Sequence, residues 1–370
     1  MVLNNIELQR YNRHIIMPEI GLKGQQKLKN AKVLVVGAGG LGCPVLQYLS
    51  AAGIGTIGIV DFDIVSESNL QRQILFDTND IGKPKVKVAK EKLSAQNPFV
   101  KFEIHNTKLS RENVLEIFSN YEIIIDGSDN FPTRYLINDA CVILSKPLVF
   151  GAIYKFIGQA SVFNYKGGPT YRCLFPEQPE TDDVPTCSTI GVLGVMPGMI
   201  GTIQANEAIK IALDIGKTLS GKLLQIDALN FSTNIITFKR NPEVANVTEL
   251  GEYFDFCEPE NETKINSISP DELYKLIQKK SEPYIIDIRE KHQFEDYNIG
   301  GKCYEVSYLF DNLNEIPANR KVVIVCEFGE KSLAVVEYLQ ENENFLNVYN
   351  LEGGVQAWIS EYFPFCEKKK

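Results

Sequence analysis

Short runs of β-branched and aliphatic residues recur along the first two-thirds of the chain. Each ends in a glycine-rich or polar turn, and longer helix-forming stretches lie between them. Val33-Leu34-Val35-Val36 is the first such run, and its unbroken apolar character reads as a strand buried on both faces. It leads into Gly37-Ala38-Gly39-Gly40-Leu41-Gly42, after which residues 43–52 read as a helix with Pro44 in its first turn. Ile57-Gly58-Ile59-Val60 is a second strand and ends in Asp61-Phe62-Asp63. A helix follows over 84–96, opened by Pro84 and stopped by Asn97-Pro98. Ile123-Ile124-Ile125, ending at Asp126, and Leu148-Val149-Phe150 are further buried strands. Strands alternating with helices predict a parallel sheet with helices on its faces.

Residues 166–190 break that rhythm with Gly, Pro, Thr and acidic residues, and read as a long mobile loop. Residues 197–212 read as a helix of small and apolar residues, and 222–239 as one or two strands. The chain then turns polar and makes its best linker. Beyond it, Ser269-Pro270-Asp271-Glu272 is a capping box with proline at the first helical position. Tyr284-Ile285-Ile286 and Val322-Val323-Ile324-Val325 read as strands of a second, smaller α/β domain.

Composition narrows the function classes. With 38 Lys and Arg against 47 Asp and Glu in 370 residues, the net charge is −9, which argues against a nucleic-acid partner. No apolar run approaches the roughly 18 residues of a membrane span, and the first residues lack the apolar core of a signal peptide. A cytoplasmic protein is therefore expected. The eight cysteines include no Cys-x-x-Cys pair and do not form a disulfide framework.

Gly37-x-Gly39-x-x-Gly42 between a strand and a helix is a dinucleotide-binding fingerprint in its proper context. Its glycines admit phosphates close to the backbone, and the helix start offers N–H groups to an anion. Asp61, 19 residues beyond Gly42, is placed to hold ribose hydroxyls. Ser68-Asn69-Leu70-Gln71-Arg72 and Gly82-Lys83-Pro84-Lys85 add amide and cationic donors, and Asp126-Gly127-Ser128-Asp129-Asn130 follows a later strand. Cations with a carboxylate able to hold Mg²⁺ suit phosphoryl chemistry. Hydride transfer to NAD, the competing reading of the fingerprint, needs none of them.

Arg10-Tyr11-Asn12-Arg13-His14-Ile15, GAGGLG, DFDIVSESNLQRQ, GKPKV, DGSDN and CLFPE resemble, in order, the motifs of the ubiquitin-activating-type adenylyltransferases of molybdopterin and thiamine biosynthesis. The resemblance covers about residues 7–240. It implies a homodimeric enzyme that uses Mg-ATP to adenylate the C-terminal Gly-Gly carboxylate of a ubiquitin-like sulfur carrier. Gly40, Asp61, Asn69, Arg72, Lys85, Asp129 and Asn130 would contact ATP or its metal, with Gly37, Gly39, Gly42, Asp63, Ser68, Leu70 and Gln71 in the same motifs. Arg13 would reach the ATP of the other subunit. Many members hold zinc with two Cys-x-x-Cys pairs. Here only Cys173 remains, with Thr170 in its partner's place, and Arg240-Asn241-Pro242 carries no cysteine. One thiolate makes no tetrahedral site, so no zinc is expected. In the family the position of Cys187 can form a covalent link to the carrier. Cys43 and Cys141 lie on apolar elements and read as core.

Residues 266–362 resemble a rhodanese domain. Ile286-Asp287-Ile288-Arg289-Glu290, with His292, Phe294 and Ile299-Gly300-Gly301, looks like its first signature. Cys326-Glu327-Phe328-Gly329-Glu330-Lys331-Ser332 looks like its active loop, and Leu351 to Trp358 like its closing segment. Cys326 ends a strand ahead of a helix at 332–340, where backbone N–H groups stabilise a thiolate or a persulfide anion. Glu327 and Glu330 depart from the arginine often carried there, leaving Lys331 as the loop's cation. A phosphatase relative of this fold needs Cys-x5-Arg, and the sixth residue after Cys326 is Ser332.

The expected architecture is α/β: a Rossmann-like nucleotide-binding domain with a mixed sheet over residues 1–245, a linker over 246–265, and a smaller rhodanese domain over 266–366. The expected function is adenylation of a molybdopterin-synthase-type carrier followed by sulfur transfer from Cys326, with Cys187 resolving the product. A persulfide donor such as a cysteine desulfurase would supply the sulfur. The alternatives are the thiamine thiazole carrier, transfer-RNA thiolation, or a non-catalytic carrier-binding scaffold.

Overall fold

The computed structural model describes residues 2–179, 191–253, 265–279, 283–343 and 345–362. The chain forms two compact units, Met1–Phe256 and Cys257–Lys370.

In the first unit, strand periodicity separates two cores. Along β1 (Lys32–Val36), Val33 and Val35 enter one apolar cluster while Leu34 and Val36 enter another on the opposite face. The same division holds along β4 (Ile123–Asp126), where Ile123 and Ile125 face one way and Ile124 the other. This is why these strands carry no polar alternation: both faces are covered. Helices Gly42–Ala52, Lys85–Gln96 and Val195–Leu213 contribute to the first cluster, and Val114–Ser119 and Phe131–Ile143 to the second.

With β2 (Thr56–Val60), β3 (Lys101–His105), β5 (Leu148–Tyr154), β6 (Ile157–Phe163), β7 (Lys222–Asp227) and β8 (Ser232–Thr237), these strands form an eight-stranded sheet of order β3-β2-β1-β4-β5-β6-β7-β8. The β3-to-β5 half is parallel, and from β5 to β8 the pairing is antiparallel. The purely parallel alternation read from the strand rhythm therefore stops at β5. That strand runs to Tyr154, past the expected Phe150, because it turns directly into its hairpin partner β6. Within the stretch expected as a linker, Leu250 and Tyr253 pack against the first unit, and the Tyr253 hydroxyl donates to Asp139 Oδ2 at 2.7 Å.

The second unit repeats the two-core logic on a parallel sheet of order β11-β10-β12-β13-β9, where β9 is Ser267–Ile268, β10 Tyr284–Asp287, β11 Lys302–Cys303, β12 Val322–Val325 and β13 Val348–Leu351. Val322 and Ile324 enter one cluster, Val323 and Val325 the other. Ser269 and Glu272 form the expected capping box around Pro270. Among the described residues no helix is long and apolar enough to cross a membrane.

Candidate active sites

The first site lies at the carboxyl edge of the parallel half-sheet, and its glycines are fixed by close approach. Gly37 has φ +89°, and a Cβ on it would lie 2.7 Å from the Gly127 carbonyl oxygen. A Cβ on Gly42 would lie 1.9 Å from the Gly37 carbonyl oxygen. The turn after β1 is thereby wedged between the Asp126–Asn130 loop and the start of helix Gly42–Ala52.

Asp61 directly follows β2 and is 9% exposed. Its Oδ2 accepts the Ala38 N–H at 2.7 Å and its Oδ1 the Asp63 N–H at 2.8 Å. Burial pushes its pKa up, with Lys85 and the two N–H groups pulling the other way. Each oxygen retains lone-pair capacity for a ribose hydroxyl. Lys85 is 4% exposed, and its Nζ lies 2.7 Å from Asp63 Oδ2. Arg72 donates from Nη1 to the Ser68 carbonyl at 3.0 Å, and a Cβ on Gly40 would lie 3.6 Å from its Cγ. Gly39 faces Gln73 Nε2 in the same way, at 3.8 Å.

The neighbouring side chains hold that turn in shape. Asn69 Oδ1 accepts the Ser66 N–H at 3.4 Å, and the Ser66 and Ser68 hydroxyls lie 3.3 Å apart. Leu70 packs against the core, and Gln71 lies against Gly194, just ahead of helix Val195–Leu213. Asn130 caps helix Phe131–Ile143 by accepting the Thr133 N–H at 3.0 Å, and its Nδ2 lies 3.3 Å from Asp129 Oδ1.

Two of the expected residues do not join this group. Arg13 is exposed on helix Asn12–Ile15. Tyr11, which caps that helix, packs under Gly53, at the end of helix Gly42–Ala52 remote from the glycine turn. Cys187 lies outside the described residues.

The structure adds residues that the sequence reading did not select. Arg134 is buried over the Phe131 and Phe150 rings, at 5.2 and 5.7 Å, and its Nη2 reaches the Ser128 carbonyl at 3.4 Å. Gln204 donates to the Asp126 carbonyl at 2.6 Å. Gln73 Oε1, Asp126 Oδ2, Arg134 Nε and Gln204 Oε1 are buried without a protein partner. Of these, Arg134 Nε can donate to a phosphate, as can Lys85 and Arg72, whereas the three orphaned oxygens can only accept, from ligand donors such as hydroxyl or amino groups. Asp129 is exposed at the end of this loop and is a carboxylate, the ligand type that holds magnesium together with substrate phosphates. Among the described residues no three His, Cys, Asp or Glu side chains converge as a metal site.

The two segments that carry zinc cysteines in many members do meet here, around one thiol. Cys173 Sγ accepts the Thr170 and Asn241 N–H groups, each at 3.3 Å. Arg240 ties the same junction by donating to the Gly168 carbonyl at 2.9 Å. Cys43 and Cys141 are fully buried, and burial pushes the Cys43 thiol up to about 12 and Cys141 well above its ordinary value.

The second site is built around Cys326, which is 2% exposed at the end of β12. The Gly329 and Ser332 N–H groups point at its sulfur at 3.2 and 3.3 Å, and the Ser332 hydroxyl lies 3.2 Å away. Helix Glu330–Glu341 begins inside the loop, two residues earlier than expected, and this brings the Ser332 N–H to the sulfur. Gly329 has φ +88°, and a Cβ there would lie 2.8 Å from the Gly353 N. The closing segment locks the loop from below, with Val355 N–H donating to the Cys326 carbonyl at 2.9 Å.

Comparisons with known proteins place both units. Residues 11–246 match the model of the ThiF family, and residues 269–361 that of the rhodanese-like domain. The chain is 40% identical to the probable adenylyltransferase/sulfurtransferase MoeZ of Mycobacterium tuberculosis, covering 98% of this chain and 95% of that protein. It is 51% identical to the sulfur carrier protein adenylyltransferase of Thermus thermophilus, over 68% of this chain and 97% of that protein. Among solved structures, E. coli MccB with ATP shares the fold with a TM-score of 0.57 and 24% identity, over 66% of this chain and 75% of that one.

Proposed function

The chain belongs to the ThiF family and carries a C-terminal rhodanese-like domain, and from that premise we propose that it converts the C-terminal Gly-Gly carboxylate of a ubiquitin-like sulfur carrier into a thiocarboxylate. The observation that carries this reading is the presence, in one chain, of a cation-lined nucleotide edge and a cysteine seated in a sulfur cradle. The similar proteins named as adenylyltransferase/sulfurtransferase and as sulfur carrier protein adenylyltransferase support it.

In the first unit, the glycine turn and Asp61 would seat ATP. The carrier carboxylate would attack the α-phosphorus, the bond to the pyrophosphate oxygen would break, and an acyl-adenylate would remain. Lys85 and Arg72 would offset the charge on the transferring and departing phosphates. Magnesium on Asp129 would supply further charge neutralisation. Arg13, exposed and remote from its own glycine turn, suits a contribution to the other subunit of a homodimer.

In the second unit, the Cys326 thiolate would attack the outer sulfur of a persulfide, such as one carried by a cysteine desulfurase. The donor's S–S bond would break, and the donor thiolate would leave with the electron pair. The new terminal sulfur would then attack the acyl-adenylate and expel AMP, leaving an acyl disulfide on Cys326. A thiol, with Cys187 as candidate, would attack Cys326 Sγ and release the thiocarboxylate. If the thiol is Cys187, the Cys187–Cys326 disulfide that forms must be reduced by an external thiol before the next turnover. The pathway is proposed to be molybdopterin synthase activation, in the cytoplasm and without zinc.

ATP–pyrophosphate exchange with purified protein and each Gly-Gly-ending carrier of the host tests the first half. Exchange with one carrier identifies the substrate. A folded, ATP-binding protein that exchanges with none contradicts this reading and points to a scaffold or to a different acyl substrate.

A further inference from the structure

Glu327 follows Cys326 directly, and a carboxylate beside a persulfide anion is a liability by charge alone. The structure shows where that charge goes. Glu327 Oε2 accepts from Arg289 Nη1 at 2.8 Å. Its Oε1 accepts from Gln356 Nε2 at 2.6 Å and from the Tyr297 hydroxyl. Its backbone carbonyl accepts the Gln356 N–H at 3.0 Å.

Arg289 is itself committed. Nε lies 3.0 Å from Asp287 Oδ1, and Nη2 reaches Asp287 Oδ2 and the Tyr297 carbonyl, each at 2.8 Å. The guanidinium stacks 4.7 Å from the centre of the Tyr297 ring. With one cation between two carboxylates the cluster is net negative, so it does not serve to place positive charge near the sulfur. What it does supply is geometry. Charge-assisted hydrogen bonds are strong and directional, and these fix the first residue of the loop to the end of β10, to the segment carrying Tyr297, and to helix Gly354–Tyr362.

We infer that Glu327 is a positioning residue for sulfur transfer: its clamped carboxylate holds the loop so that the Gly329 and Ser332 donors stay aimed at Cys326 Sγ. The inference rests on the sulfurtransferase reading of this unit. It gives Glu327 a role where the sequence alone shows only a departure from the arginine often carried in this loop.

The test is single-turnover loading of the full-length protein with the persulfide of N-acetylcysteine amide, read as the mass gain of one sulfur on Cys326. Cys326→Ala is the blank. Glu327→Ala is expected to slow loading at saturating donor about 10-fold or more, as small misplacements of reacting groups do. The donor concentration giving half-maximal rate stays unchanged. Glu327→Gln, which keeps one carbonyl acceptor but turns its amide nitrogen toward groups that donate to the native carboxylate, is expected to recover only part of the rate. Gln356→Leu, which leaves the loop sequence intact, is expected to slow loading in the same direction, and all variants keep native pyrophosphate exchange.

Native-like loading by Glu327→Ala overturns the inference. Faster loading by both Glu327 variants overturns it too, because that is the signature of simple charge repulsion. Native-rate loading by Gln356→Leu overturns it as well, because the clamp then does not set the loop. A native protein that gains no sulfur overturns the sulfurtransferase reading itself, and the inference with it.

Discussion

Asp129, Gly42 and Asp61 occupy one edge of the first sheet but answer to different physical constraints. Asp129 stands at the end of the loop that Gly37 presses against, and its predicted work is on the nucleotide. Asp129→Ala is expected to lower pyrophosphate exchange by about 100-fold or more, the usual scale for a lost electrostatic stabiliser, without changing the unfolding curve. Near-normal exchange would remove it from the metal site. Gly42 is constrained by space: a Cβ would meet the Gly37 carbonyl oxygen at 1.9 Å. Gly42→Ala is therefore expected to abolish ATP binding and to lower stability by about 1–3 kcal/mol or more, as overpacking does. An unchanged melting curve would contradict that placement. Asp61 makes a third test, because burial raises its pKa. ATP affinity should fall as pH drops, with a midpoint above the ordinary aspartate value of about 3.9, and Asp61→Asn should flatten that dependence.

Among elements, the buried strands were legible and the sites only partly so. Val33 to Val36 and Val322 to Val325 announce themselves because alternate side chains enter two cores, leaving no polar position. β3 gives a weaker signal, because Glu103 and His105 are partly buried against the Tyr121 hydroxyl, at 3.0 and 2.9 Å. The fingerprint glycines, Asp61, Arg72 and Lys85 were legible as residue types at recognisable spacings. Arg134, Gln204 and the Glu327 clamp were not, because their roles depend on contacts that no local spacing encodes. The clamp also has a stability signature. Burial opposes the Glu327 charge, but bonds from Tyr297, Gln356 and Arg289 outweigh it and hold its pKa below the usual glutamate value. A depressed carboxylate stabilises the fold fully above its unfolded pKa of about 4.3 and loses that contribution as pH falls through the folded value. The gap in urea midpoint between native protein and Glu327→Ala should therefore be full at neutral pH and close in acid. A gap that persists unchanged at pH 3 would contradict this sign.

At the scale of the whole molecule, each unit has its own sheet and its own cores, so each chemistry is expected to survive loss of the other. Asp129→Ala should still load sulfur on Cys326 at the native rate, and Cys326→Ala should still exchange pyrophosphate. At the junction of Thr170, Cys173 and Asn241 one thiol and backbone hydrogen bonds stand where two pairs of thiolates are needed. Purified protein is thus expected to carry no stoichiometric zinc, and about one equivalent by elemental analysis would contradict that. The account joins the two chemistries on one substrate, and a single measurement tests the join: the mass of the carrier's C-terminus after incubation with full-length protein, ATP and a persulfide donor. Native protein should convert the carboxylate to a thiocarboxylate, and Cys326→Ala should release pyrophosphate yet leave the carrier without added sulfur. An equal thiocarboxylate yield from Cys326→Ala would contradict the account at its centre.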